Sequence, residues 1–179
     1  MKQLSFFLFL LASFVTSLSA QSNLNLDTDI LERVKPSSVA WTWDDGVYHS
    51  KDQEPHTVYL LMNTGGVGEL QLSKNFTELI KSWMFEHPDA EAIVTNTING
   101  VTSRQGWTFK PVLVRDGEQM LNVYLVRKGA CRANTMALSA NRGTPLSSEQ
   151  VKAIHKKLYE GESLAFKEKL GIGADSEAR

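Results

Sequence analysis

Phe76, Leu79, Ile80, Trp83 and Met84 recur at i, i+3, i+4, i+7 and i+8, in the middle of a chain whose other apolar runs are short and β-rich. That spacing predicts one amphipathic helix, capped at Ser73, stopped by His87-Pro88, with Trp83 and Met84 on its core side. Upstream, Val39-Ala-Trp-Thr-Trp43 and His56-Thr-Val-Tyr-Leu-Leu-Met62 read as strands. Asp44-Asp-Gly46 is a turn, Ser50 to Pro55 a polar connection, and Asn63-Thr-Gly-Gly-Val-Gly68 a glycine-rich loop. Downstream, Ala92 to Ile98 alternates loosely and Asn99-Gly100 signals a tight hairpin. Thr108 to Val114 returns, Asp116-Gly117 turns again, and Met120 to Val126 leads into Gly129.

Ser147-Ser-Glu-Gln150 is a capping box opening a final helix, with Val151, Ile154, Leu158 and Ala165 on one side. Gly161 inside that helix costs about 1 kcal/mol relative to Ala, which predicts a break or a close contact there. About five short strands, a central helix, a C-terminal helix and turn-rich connections predict an α+β chain. The architecture expected is a small five-stranded Greek-key β-barrel of the oligonucleotide/oligosaccharide-binding (OB-fold) type.

The N-terminus carries a short positive region, Met1-Lys2-Gln3, an apolar run from Leu4 to Val15, and the small-residue stretch Thr16 to Ala20. This reads as a signal peptide over 1–20, cleaved after Ser19 or Ala20, so the chain is expected in the periplasm or outside the cell. The apolar run is about half of what a bilayer span requires, and no permanent membrane span is expected in the mature chain. Residues 21–38 form an arm or short helix, with Leu26, Ile30 and Val34 at helical spacing before Pro36; 39–173 form one domain; 174–179 are a polar tail. The single Cys131 excludes an intramolecular disulfide, so stability rests on the core, where Cys131 is expected as a small apolar residue.

Charge is segregated along the chain. Between Gln21 and Gly100 five Lys/Arg face twelve Asp/Glu, whereas between Val101 and Lys157 ten face three. The net charge of -1 therefore conceals a basic segment that attracts phosphate if folding gathers it, and is an ordinary solvated surface if it does not. His49, His56, His87 and His155 have no metal-ligand spacing and no Cys pair to help them.

Asp116-Gly117, then Asn122-Val-Tyr-Leu-Val-Arg-Lys-Gly129-Ala-Cys131, then Glu162-Ser-Leu-Ala165 through Gly171-Ile172 form an ordered set over roughly Thr102 to Ile172. It resembles the closing half of staphylococcal-nuclease-like (thermonuclease-like) domains. The resemblance implies a chemistry of calcium-assisted phosphodiester hydrolysis, in which carboxylates hold the metal, a Glu serves as base and two Arg neutralise the phosphate. The positions that match those roles hold other residues here. The metal-binding turn corresponds to Asp45-Gly46-Val47-Tyr48, without its second Asp and Thr. The first Arg corresponds to Val58, the Asp after that strand to Asn63, the base to Gly66 with Glu69 three residues late, and the second Arg to Trp107.

Two functions follow from the resemblance and its departures. One is an exported, catalytically degenerate binding module for nucleic acid or protein, with Trp107, Lys110, Arg127 and Lys128 as ligand-binding candidates and Trp41 and Trp43 as further aromatic surface. The other is a calcium-dependent phosphodiesterase with a rearranged site, using Asp44 and Asp45 for the metal and Glu69 and Arg104 for catalysis. Calcium is implied only by the second, and no other cofactor is expected.

Overall fold

A computed structural model describes residues 33–39, 57–61, 72–95, 98–101, 104–133 and 146–175, of which 57–58, 98–101, 104–109 and 175 are described by their backbone. The order is β1 (Arg33–Val34), a 3-10 turn (Pro36–Ser38), β2 (Thr57–Leu61), α1 (Phe76–Glu86), β3 (Glu91–Val94), β4 (Ile98–Val101), β5 (Arg104–Asp116), β6 (Gln119–Met120), α2 (Leu121–Arg127), α3 (Ser148–Lys167) and α4 (Ile172–Asp175). The fold is α+β, as the sequence predicts. The expected strand over Val39–Trp43, the turn at 44–46 and the loop 63–68 lie outside the described residues apart from Val39, which is buried.

β5 is the axis of the sheet. Antiparallel β3 and β4 follow one another along one edge, parallel β2 and then antiparallel β6 along the other, and β1 lies outside β3. The path β1-β3-β5-β2 is open among the described residues. Val112, Leu113 and Val114 are all buried, so this stretch of β5 is covered on both faces and reads as a continuous apolar run.

Pro111 explains why β3 and β4 are separate strands. Thr95 donates its N–H (2.8 Å) and its hydroxyl (3.0 Å) to the Pro111 carbonyl, but Pro111 has no N–H to return. The ladder stops there and resumes one residue out of step, from Val94↔Val112 to Ile98↔Phe109. Because a strand residue aims its N–H and C=O to the same side, the missing donor faces β3 and leaves the β2 pairing intact, with Leu60 opposite Pro111.

Three local expectations are corrected. Asn99-Gly100 is not the hairpin turn: Asn99 pairs with Thr108 inside β4, the register shifts between Asn99 and Val101, and the reversal lies between Val101 and Arg104. Gly100 thus sits at a bulge, the other frequent use of a strand glycine. Arg33–Val34 is a strand paired with Ala92 and Ile93 rather than part of an arm or helix, and Pro36 enters a 3-10 turn directly after it. The segment from Met120 is helical from Leu121, with Leu121, Asn122, Leu125 and Val126 turned inward.

The helices otherwise follow the sequence, except that α1 is not capped at Ser73: its N-cap is Asn75, which makes no side-chain capping bond, and Ser73 Oγ donates instead to Asn75 Oδ1 (2.6 Å). α1 buries Phe76, Ile80 and Trp83, and α3 buries Val151, Ile154, Leu158, Gly161 and Ala165. Both halves of the predicted capping box form, since Ser147 Oγ accepts from Gln150 N (3.2 Å) and Gln150 Oε1 from Ser147 N (2.8 Å). Sheet and helices share one apolar cluster, which also takes in Cys131 at 2 % exposure, as expected for a packing residue.

Candidate functional site

The residues that carry the resemblance converge on the junction of β5, α2 and α3. Asn122 is fully buried on the first turn of α2; its Oδ1 accepts from Val114 N (2.9 Å) and its Nδ2 donates to Val112 O (3.3 Å). It therefore does the work of a strand residue, satisfying β5 between the last β2 pair at Val112 and the first β6 pair at Arg115. At the other end of α2, Gly129 N reaches Val126 O and Ala130 N reaches Leu125 O, with Gly129 at φ 66. This is a Schellman cap, and it needs the left-handed conformation that glycine adopts freely. α3 closes in the same way, through Lys169 N to Phe166 O and Leu170 N to Ala165 O, with Lys169 at φ 55.

The two caps lock together. Ile172 N donates to Gly129 O (2.9 Å), and a Cβ on either Gly129 or Gly171 would fall 2.1 Å from a backbone oxygen of the opposing segment. Gly161 is the expected close contact without a break: its Cα passes the α2 backbone, where a Cβ would meet Arg127 N at 3.5 Å. Glu162 accepts from Ala133 N (3.1 Å) and lies 3.6 Å from Arg132, whose guanidinium covers the Phe166 ring at 4.5 Å. Asn122, Leu125, Gly129, Cys131, Glu162, Ala165 and Gly171 thus all serve packing or turning.

The predicted site residues scatter. Asp44, Asp45 and Glu69, with Asn63 and Gly66, lie outside the described residues. Arg104 opens β5 opposite Val101, and Trp107 follows three residues on, about 10 Å along the strand. Val58 occupies a β2 position paired with Phe109. Lys110 faces Tyr59 across the parallel pair, its ammonium 5.6 Å from the ring centroid. Tyr59 escaped the sequence reading, since only the β2–β5 register brings it to Lys110. Arg127 and Lys128 stand elsewhere, on the last turn of α2. Arg127 Nη2 contacts both oxygens of Glu168 (2.7 and 2.9 Å), and Lys128 lies 5.6 Å from the Tyr124 ring.

Half of the basic segment's described side chains are paired with carboxylates. Arg115 lies 3.8 Å from Glu91, which also pairs with Arg33; Arg127 and Arg132 pair with Glu168 and Glu162; Lys156 is 3.9 Å from Glu160. Exposed pairs like these contribute little stability, but they reduce the field a polyanion meets. Of the histidines described, His87 stacks on Trp83 (4.2 Å between centroids) and its Nδ1 lies 2.8 Å from Asp116 Oδ2. His155 meets Tyr159 edge-on at 6.3 Å and buries an Nε2 without a hydrogen-bond partner. Among the described residues no group of three or more His, Cys, Asp or Glu is placed to hold a metal.

A cavity of about 270 Å³ opens where α1, the β5–β6 turn, α2 and α3 meet. Trp83, Met120 and Val123 provide its apolar wall; Glu118, Gln119, Tyr124 and Lys157 line the rest. Burial, and after it the Glu86 carboxylate, raise the Tyr124 phenol above its ordinary 10.0, so the hydroxyl keeps its proton at neutral pH. Compared with known protein families and curated proteins, the chain matches no family model and no curated sequence.

Proposed function

We propose that the protein is an exported staphylococcal-nuclease-like module, built on an OB-type barrel, that binds nucleic acid and lacks the family's hydrolytic centre. The sheet organised by β5 is then the described part of that barrel. The observation that carries the reading is the use made of the resembling residues: Asn122, Gly129, Glu162 and Gly171 hold α2 and α3 to β5 and to each other. A scaffold needs those residues whether or not it hydrolyses anything. The catalytic positions have no such second use, and they have changed: the first Arg corresponds to Val58 and the second to Trp107.

Losing a single donor of transition-state charge stabilisation typically costs about 10²–10³ in rate, and here both guanidinium groups and the base are replaced. What remains suits stacking. Tyr59 and Lys110 stand side by side on β2 and β5, and an aromatic ring beside a cation is how single-stranded nucleic acid is held without sequence preference.

The test is to incubate the mature protein with single-stranded DNA and RNA, with and without calcium, and measure cleavage and retention together. Retention that falls with salt, falls about tenfold or more in Tyr59→Ala or Lys110→Ala, and comes without cleavage is the expected result. Calcium-dependent cleavage abolished by Glu69→Ala or Asp45→Ala would overturn it in favour of a rearranged phosphodiesterase. Absence of any retention would refer the ligand to protein instead.

A further inference from the structure

The cavity between α1, β6, α2 and α3 belongs to neither the β2–β5 surface nor the α2–α3 clasp, yet it has the composition of a ligand site. Its wall is apolar and rigid: Trp83 is 2 % and Met120 6 % exposed, each fixed in the core cluster. Its polar groups are few and come from different parts of the chain, Glu118 from the β5–β6 turn, Tyr124 from α2 and Lys157 from α3. An apolar hollow with a few convergent polar groups is the usual form of a small-ligand pocket, and 270 Å³ is just below the usual range of about 300–1,000 Å³, room for a ligand of one residue.

The charges indicate what the ligand carries. Lys157 is half-buried and has no ion pair or hydrogen bond among the described residues, although Lys156 beside it pairs with Glu160. A partly desolvated ammonium without a partner favours an anion. The Tyr124 hydroxyl, protonated at neutral pH, adds a donor. Glu118 has no partner either among the described residues, and as an exposed carboxylate it accepts an N–H. A donor pair and an acceptor around one apolar hollow match a free carboxylate, an amide N–H and an apolar side chain on one carbon.

We propose that this cavity binds the C-terminal residue of a peptide, or an N-acyl amino acid of the same chemistry, with the apolar side chain against Trp83, Met120 and Val123. The carboxylate sits on Lys157 and Tyr124, and the amide N–H on Glu118. This site is independent of nucleic-acid binding on β2 and β5, so the two stand or fall separately.

The probes are N-acetyl-leucine, N-acetyl-leucinamide and a tetrapeptide ending in leucine, each titrated into the full mature chain and followed by amide shifts of Gln119 and Tyr124 and the indole signal of Trp83. The expected result is saturable millimolar binding of the acid, about tenfold weaker binding of the amide, and loss of that difference in Lys157→Met. Lys110→Ala leaves all three curves unchanged. A tetrapeptide that binds more tightly than N-acetyl-leucine makes peptide ends the source, and the reverse makes it the free acyl amino acid. No saturable shift with the acid, or equal binding of acid and amide by the unmodified chain, overturns the proposal without reference to any variant's folding.

Discussion

Gly171→Ala and Gly161→Ala exchange the same hydrogen for the same methyl group, and the structure predicts opposite signs. At Gly171 the backbone is at φ 50, where an L-residue costs about 1–2 kcal/mol. The added Cβ falls 2.1 Å from Gly129 O and 2.7 Å from Gly129 C. Both are backbone atoms, so no rotamer change relieves the contact. Ordinary contact starts near 3.4 Å, and α2 must part from the α3–α4 turn by more than an ångström to reach it. The Ile172 N to Gly129 O bond at 2.9 Å does not survive that displacement, a further loss of about 1 kcal/mol. The expected destabilisation is about 2–4 kcal/mol, or a Tm lower by about 5–15 °C for a chain of this size.

Gly161 lies in regular helix, and its added Cβ would meet Arg127 N, Val123 O and Arg127 Cα at 3.5, 3.6 and 3.7 Å, which is packing rather than collision. Alanine there gains helix propensity, about 0.5–1 kcal/mol in favour of folding. Urea midpoints of the two variants against the parent, with unchanged slope, measure both effects. If Gly171→Ala comes within about 0.5 kcal/mol of the parent, or if the two variants shift the same way, the clasp is not the tight backbone contact described.

Asn122→Ala removes both partners of the β5 edge and leaves Val114 N–H and Val112 C=O buried; a loss of about 2–4 kcal/mol is expected, together with faster hydrogen exchange at Val114, and unchanged exchange there would refute the role. Lys169→Gly relieves a left-handed non-glycine residue in the α3 cap and should raise stability by about 0.5–1 kcal/mol in the same urea assay; a lower midpoint would contradict that. Tyr124 titrates above its ordinary 10.0 because burial and the Glu86 carboxylate disfavour the phenolate. Since the folded pKa is the higher one, this contribution to stability is complete below about pH 10 and is lost as pH rises through the folded value. The absorbance difference near 295 nm between the parent and Tyr124→Phe should show a midpoint above 10 that Glu86→Gln lowers; a midpoint at or below 10 would refute the assignment.

What was legible in the sequence was whatever a short stretch decides for itself. The Phe76–Met84 spacing gave α1 and the Ser147–Gln150 pattern gave α3 with its cap, because helical periodicity and capping are local. Strand boundaries were not, because they depend on partners. Asn99-Gly100 has the chemistry of a turn, but pairing with β5 carries the chain through Val101 before it reverses. Pro111 inside an apolar run argues against a central strand, yet it is tolerated because its missing donor faces the break between β3 and β4.

The same distinction separates the charge pattern from the surface it forms. The basic segment from Val101 to Lys157 looked like one feature because its charges are close in sequence. Folding pairs Arg127 with a carboxylate 41 residues away and sets Arg115 against Glu91 from the acidic half, while Lys110 goes to β2. Lys157, one of ten cations in that segment, is distinguished by the company it keeps: Trp83 from one helix and Glu118 from a hairpin turn, with no ion pair made among the described residues. A sequence reading weighs such a lysine by its neighbours in the chain, whereas its capacity to bind is set by burial without a partner, a quantity that exists only once α1, β6, α2 and α3 have met.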